Sequence, residues 1–502
     1  MSSNSNNKRI AKNSIVLYIR MAITMFISLY TSRVILKNLG IEDYGTYNLV
    51  GGIVAMFGFL NTSMSACTIR FITNCIAIGD IEDSQKTFGT SIIVHLLISA
   101  IFIILAETIG LWFLFEKMAI PETSINAAFW VYQISIITTV VLIISVPYNA
   151  IIVAHEKMSA FAYISIVETV LRLLAAIAIG LFSSDKLVIY AFIIFSIQLL
   201  IRIIYNSYCK RKFLETQCRL KYDRDLAKKM LSFTGWDLYG NLSTVMRTQG
   251  VSMLLYRFFG PIANASSAIA AQVQGLILNV SNNIIMAFRP QIIKSYTTMD
   301  YKRMTVLINR GSYITFLISV AIMSPIIILI PDILYLWLVE VPEYATIFVR
   351  TTLFFSLYSI LSQYIMIGIH ATGKIKRPSL INGTLYLLVI PFSYFAYKSG
   401  MPPEFAYVYN AIAVAVGTLS NAYTLNKYCK DFSFKEYFLK IFLKCIIINF
   451  ILLVTLYPTK FIETIYIKLI AISCITILFT TIIVFTTFSK NEKEYICKFI
   501  KI

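Results

Sequence analysis

SIVLYIRMAITMFISLYTSRVIL, residues 14–36, is an apolar run broken only by hydroxyl side chains and two arginines, Arg20 and Arg33. As a helix it extends about 35 Å, enough to cross a hydrocarbon core of about 30 Å. It is longer than a secretory signal core and no small-residue cleavage site follows, so it is expected to be a first, retained span. The whole chain has the same character: 502 residues, 58% hydrophobic and only 14% charged. Soluble domains carry about 45–50% apolar and about 25% charged residues. This chain cannot cover itself with polar surface, which excludes a soluble enzyme.

Apolar stretches and their breaks predict fourteen spans, an all-α polytopic membrane protein: 14–36, 46–69, 88–114, 127–153, 158–182, 187–208, 231–256, 262–288, 305–330, 344–369, 379–397, 404–426, 438–457 and 466–488. Barrel strands are excluded, because they would need alternating runs of about 10 residues. With the N-terminus inside, segments 1–13, 70–87, 154–157, 209–230, 289–303, 370–378, 427–440 and 489–502 hold 29 of the 44 Lys and Arg. Opposite-side segments hold only Lys37, Lys117, Lys186, Arg257, Lys398 and Lys460. The positive-inside rule then places both termini in the cytoplasm, and it explains the net charge of +19 without nucleic acid. None of the eight cysteines falls in an outward loop and no CxxC occurs, so free thiols are expected.

Residues 209–230, CKRKFLETQCRLKYDRDLAKKM, form the longest strongly polar interior stretch, and six spans precede it. The halves begin alike: Leu39-Gly40 precedes a helix ending at Arg70, and Phe259-Gly260 precedes one ending at Arg289. This predicts two six-helix lobes, 1–208 and 231–430, joined by the linker 209–230, with 431–502 carrying two further helices and a tail. Such duplication places a transporter's substrate path between its lobes. The chemical inventory is thin: three histidines, no HExxH, no GxSxG and no phosphate-binding glycine loop. No enzyme activity, cofactor or metal is expected.

Polar stripes stand out instead. At 100° per residue, Arg20, Thr24, Ser28 and Thr31 share a face of the first span. Asp237, Asn241, Thr244, Thr248 and Ser252 share one on the seventh, with Arg247 at its edge, and Gln272, Gly275, Asn279 and Asn283 one on the eighth. Such stripes are expected to face protein or water, not lipid. Hydrogen bonding between helices competes with a cavity for the neutral residues. The arginines favour a cavity, because charge at mid-depth is costly and usually functional. Arg20, Arg247, Arg310 and Arg350 are the cavity candidates, whereas Arg202, Lys444 and Lys468 are read as snorkelling from helix ends. Glu168 and Arg172, spaced i,i+4, should pair, and Asp237 and Glu168 are the candidate coupling acids. His95 and His370 are read as interfacial. A cationic lining suits an anionic substrate, phosphate above all.

Asn38-Leu-Gly-Ile-Glu-Asp-Tyr-Gly-Thr-Tyr47 resembles the LG-x-E-x-YG-x-Y signature of polysaccharide (O-antigen) flippases in the multidrug/oligosaccharidyl-lipid/polysaccharide (MOP) exporter superfamily. Pro147-Tyr-Asn-Ala150 with Ala154-His-Glu-Lys-Met158, and Ala371-Thr-Gly-Lys-Ile-Lys-Arg-Pro378, resemble two junctions of that branch. The resemblance implies a V-shaped arrangement of two lobes. It also implies a multi-pass protein of a bacterial inner (plasma) membrane that carries undecaprenyl-diphosphate-linked oligosaccharide from the cytoplasmic to the outer leaflet by alternating access. Membrane lipid, a polysaccharide polymerase and chain-length proteins would be partners. Two other readings stay open: an ion-coupled drug or cation exporter of the same superfamily, to which Asp237 would be suited, and a peptidoglycan-precursor lipid flippase. A membrane-bound transferase is disfavoured, since no catalytic constellation can be named.

Overall fold

The computed structural model describes residues 3–39, 58–116, 125–182, 185–217, 221–338, 341–462 and 464–487. Among these there is no strand. The helices are α1 (Ser3–Leu39), α2 (Gly58–Ile78), α3 (Ile81–Glu116), α4 (Ile125–Ala154), α5 (Met158–Leu181), α6 (Lys186–Lys212), α7 (Arg224–Thr297), α8 (Tyr301–Trp337), α9 (Ala345–Thr372), α10 (Lys376–Lys398), α11 (Phe405–Tyr428), α12 (Phe434–Phe461) and α13 (Ile465–Thr487). Among the described residues, ten helices are long and apolar enough to cross a membrane. Those outside that set are α2, α7 and α11, whose Asn, Gln, Ser, Thr and Gly content lowers their mean hydropathy. The predicted spans 46–69, 231–256, 262–288 and 404–426 map onto these three, and residues 46–57 lie outside the described part. The described part of the chain therefore has an all-α, polytopic membrane-protein fold.

Local chemistry sets the helix ends. Asp80 caps α3 by accepting from the Asp83 N–H at 3.0 Å, and Asp223 caps α7 by accepting from the N–H groups of Asp225 and Leu226, both at 2.9 Å. The seventh and eighth predicted spans form one run, α7, broken where Gly260 takes φ 77° and ψ −170°. Only glycine adopts that conformation without strain. In α3 a π-helical turn at Ala106–Gly110 disturbs the regular ladder, and the Tyr132 hydroxyl donates to the Ala106 carbonyl at 2.8 Å.

Packing divides the chain into two units. The first holds Met1–Val245, Met286–Asp300 and His370–Gly383; the second holds Met246–Ile285, Tyr301–Ile369 and Thr384–Ile502. In the first, α1 packs on α5, and α4 on α2, α3 and α6, around buried Phe102, Leu114, Val131 and Tyr132. In the second, α8 packs on α12 and α13 around buried Phe316, Phe348, Leu361 and Leu452. Here Gly311 lets the Tyr364 ring lie against α8, and Tyr364 and Thr315 share a hydroxyl–hydroxyl hydrogen bond of 2.6 Å.

Outside the spans, residues 213–215 are pinned to the turn between α4 and α5. His155 Nε2 lies 3.0 Å from Glu215 Oε1, and its ring stacks on Phe213 at 4.4 Å. Burial pushes the Glu215 carboxyl up, but the hydrogen bond and charge of His155 outweigh it and hold Glu215 below its ordinary range. A depressed carboxyl stabilises the fold above its unfolded pKa of about 4.3, and that contribution is lost as pH falls through the lower folded value. Thermal unfolding should therefore show a gap between wild type and Glu215→Gln at neutral pH that closes under acid. A gap that widened on acidification would contradict this.

Candidate functional site

Arg20, in the first unit, is part-buried on α1 with its guanidinium over the Phe161 ring of α5 at 5.0 Å. The Thr24 hydroxyl donates to the Arg20 carbonyl at 2.9 Å, Thr31 to Ile27 at 2.7 Å and Thr244 to Gly240 at 3.0 Å, each one turn back on its own helix. Hydroxyl stripes thus satisfy themselves locally. Ser28 is exposed.

Glu168 of α5 accepts from Arg172 at 2.9 Å and from Gln198 of α6 at 2.8 Å. Its carboxylate is held by an ion pair and an amide. Asp237, near the start of α7, is buried. One carboxylate oxygen accepts from Asn241 Nδ2 at 2.9 Å, and the other lies 3.2 Å from His370 Nε2 of α9. Asn241 Nδ2 also donates to Ser63 Oγ of α2 at 2.8 Å. Arg289 lies within the electrostatic reach of Asp237, and its buried Nε has no hydrogen-bond partner among the described residues. The Phe233 ring meets the His370 ring edge-on at 5.5 Å and carries the Arg70 guanidinium at 5.4 Å.

In the second unit, Arg247 donates from its guanidinium to Asn410 Oδ1 at 2.5 Å and lies 4.4 Å over the Tyr386 ring. Its described partners are an amide and a phenol ring, with no carboxylate among the described ion pairs. These two partners orient the positive charge without neutralising it. Gly250, one turn on, lets Ile390 of α10 pack against α7 beside it. Gln272 and Asn279 are exposed, and buried Asn283 donates back to the Asn279 carbonyl at 2.8 Å. Arg310 is exposed on α8. Arg350 donates through Nε to the Ile327 carbonyl at 3.0 Å, and Asp332 acts on it electrostatically.

Several cations read as snorkelling are tied to protein. Lys468 of α13 is buried and pairs with Asp332 of α8 at 2.5 Å. Arg202 donates to the Ile144 carbonyl at 2.7 Å and lies 4.2 Å over Tyr148, while Lys444 lies 4.7 Å over Tyr313. Both histidine readings change too. His95 is buried within α3, its Nδ1 2.7 Å from the Ser91 carbonyl, and His370 is part-buried against Asp237. Removing Asp332 leaves Lys468 buried without its counter-charge, a loss that costs about 3 kcal/mol in comparable buried pairs. Asp332→Ala should therefore lower the thermal stability of the detergent-solubilised protein far more than Lys440→Ala, which breaks only the exposed pair with Glu436. Equal losses would contradict this.

Residues 225–395 match the MatE family model. The chain shares its fold with a MATE protein solved in a straight conformation, at TM-score 0.73 and 16% identity over 85% of this chain and 97% of that one. It is also similar in fold to a multidrug resistance MATE family transporter of the MOP superfamily in an outward-facing conformation, at TM-score 0.69 and 14% identity over 84% of this chain and 97% of that one. A MOP superfamily transporter from Pyrococcus furiosus matches at TM-score 0.69 and 14% identity over 83% and 96%. No curated protein matches in sequence. The flippase-like signature at 38–47 lies mainly outside the described residues; the other two quoted junctions are helix ends and turns around His155 and Gly373.

Proposed function

We propose that the chain is a flippase for polyprenyl-diphosphate-linked oligosaccharides, moving them from the cytoplasmic to the outer leaflet for surface polysaccharide synthesis. The MatE segment and the shared transporter fold support membership of the MOP superfamily and a transporter in place of an enzyme. The observation that carries the finer reading is Arg247. Its guanidinium is fixed by Asn410 and Tyr386 while its charge stays available, which suits a diphosphate or an acidic sugar. Arg20, on the first helix with its guanidinium over the Phe161 ring, is the second candidate cation. Two six-helix lobes rocking about a path between them would supply alternating access, with both termini cytoplasmic. Polymerase and chain-length proteins would receive the product.

A drug or cation exporter is the second reading, favoured by the MatE match and the multidrug transporter sharing the fold. It needs a free acidic site. Asp237 is occupied by Asn241 and His370, which weighs against it. The solved Pyrococcus furiosus relative is described as having a binding pocket of reversed polarity that suggests a different function, so this fold accommodates more than one pocket polarity. Complementation tests the proposal. Expression in a bacterium lacking its own O-antigen flippase should restore surface polysaccharide. Absent restoration together with raised resistance to cationic dyes would establish the exporter reading instead.

A further inference from the structure

Three acids lie well inside predicted spans: Glu107, Glu168 and Asp237. Glu168 is held by Arg172 and Gln198, and Asp237 by His370 and Asn241. Glu107 is different. Its carboxylate accepts from the amide of Gln133 on α4, Nε2 to Oε2 at 3.2 Å, and no cation pairs with it among the described ion pairs. It sits in the π-helical turn Ala106–Gly110 of α3. A widened turn of this kind breaks the regular ladder and is frequent at functional sites. The turn is braced from α4, where the buried Tyr132 hydroxyl donates to the Ala106 carbonyl at 2.8 Å, one residue before the amide that meets the acid.

The carboxyl is half-buried, and Ile104, Thr108 and Ile109 around it are exposed on an apolar helix. A carboxylate on such a surface, with an amide for its partner, is costly, and acids kept inside a membrane at that cost mark ion or proton paths. Taking up a proton removes the charge and leaves an acid that still hydrogen-bonds the amide. The basic segment 70–87 assigns the start of α3 to the cytoplasm, which leaves Glu107 in the outer half of its span. Exposed Trp112 and Trp130 stand on the outer side of the pair, within about 8 Å along their helices, at the level of an aromatic belt. Tyr132 is the titratable group of α4 within electrostatic reach of Glu107. Lys186, at the start of α6, donates to the Asn38 carbonyl at 3.4 Å, and Glu116 is exposed at the end of α3.

We propose that Glu107 and Gln133 form a proton-binding site open to the outer side of the membrane, through which the proton concentration outside acts on transport. A proton from the outer water joins a carboxylate oxygen; the loaded site is a neutral acid and the empty one a carboxylate held by the amide. The consequence for transport rests on the transporter reading, but the site does not. Dicyclohexylcarbodiimide, an apolar reagent that adds to protonated carboxyls, tests it on the full chain in liposomes of defined orientation. Peptide mass spectrometry should find the adduct on Glu107 and not on ion-paired Glu168. With the inner medium fixed, moving the outer medium from alkaline to acidic should raise the yield about tenfold. Gln133→Leu removes the donor that favours the charged form, so its labelling should persist into more alkaline medium. Wild type should transport faster with acid outside, and Glu107→Gln should lose that response. No adduct on Glu107 at any outer pH, a yield that follows the inner medium, and equal labelling of Glu168 would each overturn the site. So would a Gln133→Leu yield identical to the parent's, or an unchanged pH response of transport in Glu107→Gln. Labelling needs no cargo. An adduct that follows outer pH in a protein that moves no lipid-linked sugar would leave the site standing and remove the flippase reading.

Discussion

Arg247→Ala should abolish most flipping, lowering surface polysaccharide at least tenfold in the complemented strain while membrane protein levels hold. The expectation follows from how the residue is held. Asn410 and Tyr386 fix the guanidinium plane, and neither cancels its charge. Removing it deletes the electrostatic partner of a dianionic head group, an interaction worth about 1.5–3 kcal/mol for a charged hydrogen bond. Arg247→Lys keeps the charge but loses the planar fork, so it should recover only part of the activity. Arg20→Ala should act in the same direction. If both changes, alone and together, left flipping intact, the anion-binding assignment would be wrong.

Asp237→Leu should have an effect of similar size by another route. The substitution strands Asn241 and His370, and it takes away the carboxylate whose field reaches Arg289. Stranding buried polar groups costs about 1–3 kcal/mol each, and Arg289 would keep a buried charge with less to balance it. The expected result is reduced thermal stability together with lost transport. Asp237→Asn retains the shape and a hydrogen bond to Asn241, and should fold near normally. Its transport separates the two roles left open for this acid. Retained transport assigns Asp237 a structural role, and lost transport in a stable protein assigns it to coupling.

The membrane spans were legible because they depend on local composition and on the 3.6-residue period, both of which a sequence displays. The break at Gly260 was legible for the same reason, as were the Glu168–Arg172 pair and the shared face of Asp237 and Asn241. Contacts between distant segments were not. Nothing near Asp237 announces His370, and nothing near Arg247 announces Asn410 or Tyr386. Asp332 lay just beyond a predicted span, so its burial of Lys468 was missed and the lysine was read as snorkelling. Arg70 and Arg289 did carry a signal, as matching helix ends of the two halves. Read only as boundaries, they gave no hint that both lie beside residues surrounding Asp237. The hydroxyl stripes are ambiguous in sequence for another reason. Threonines that bond one turn back on their own helix look identical, in sequence, to threonines lining water.

Reconstitution tests the central claim most directly. The purified protein is placed in liposomes containing a fluorescent polyprenyl-diphosphate-linked oligosaccharide, and the label accessible to a membrane-impermeant quencher is followed with time. Protein-dependent transfer between leaflets, reduced at least tenfold by Arg247→Ala and not competed by cationic dyes, is the result expected. Transfer no faster than in protein-free liposomes, with uptake of a cationic dye by the same vesicles, would contradict it.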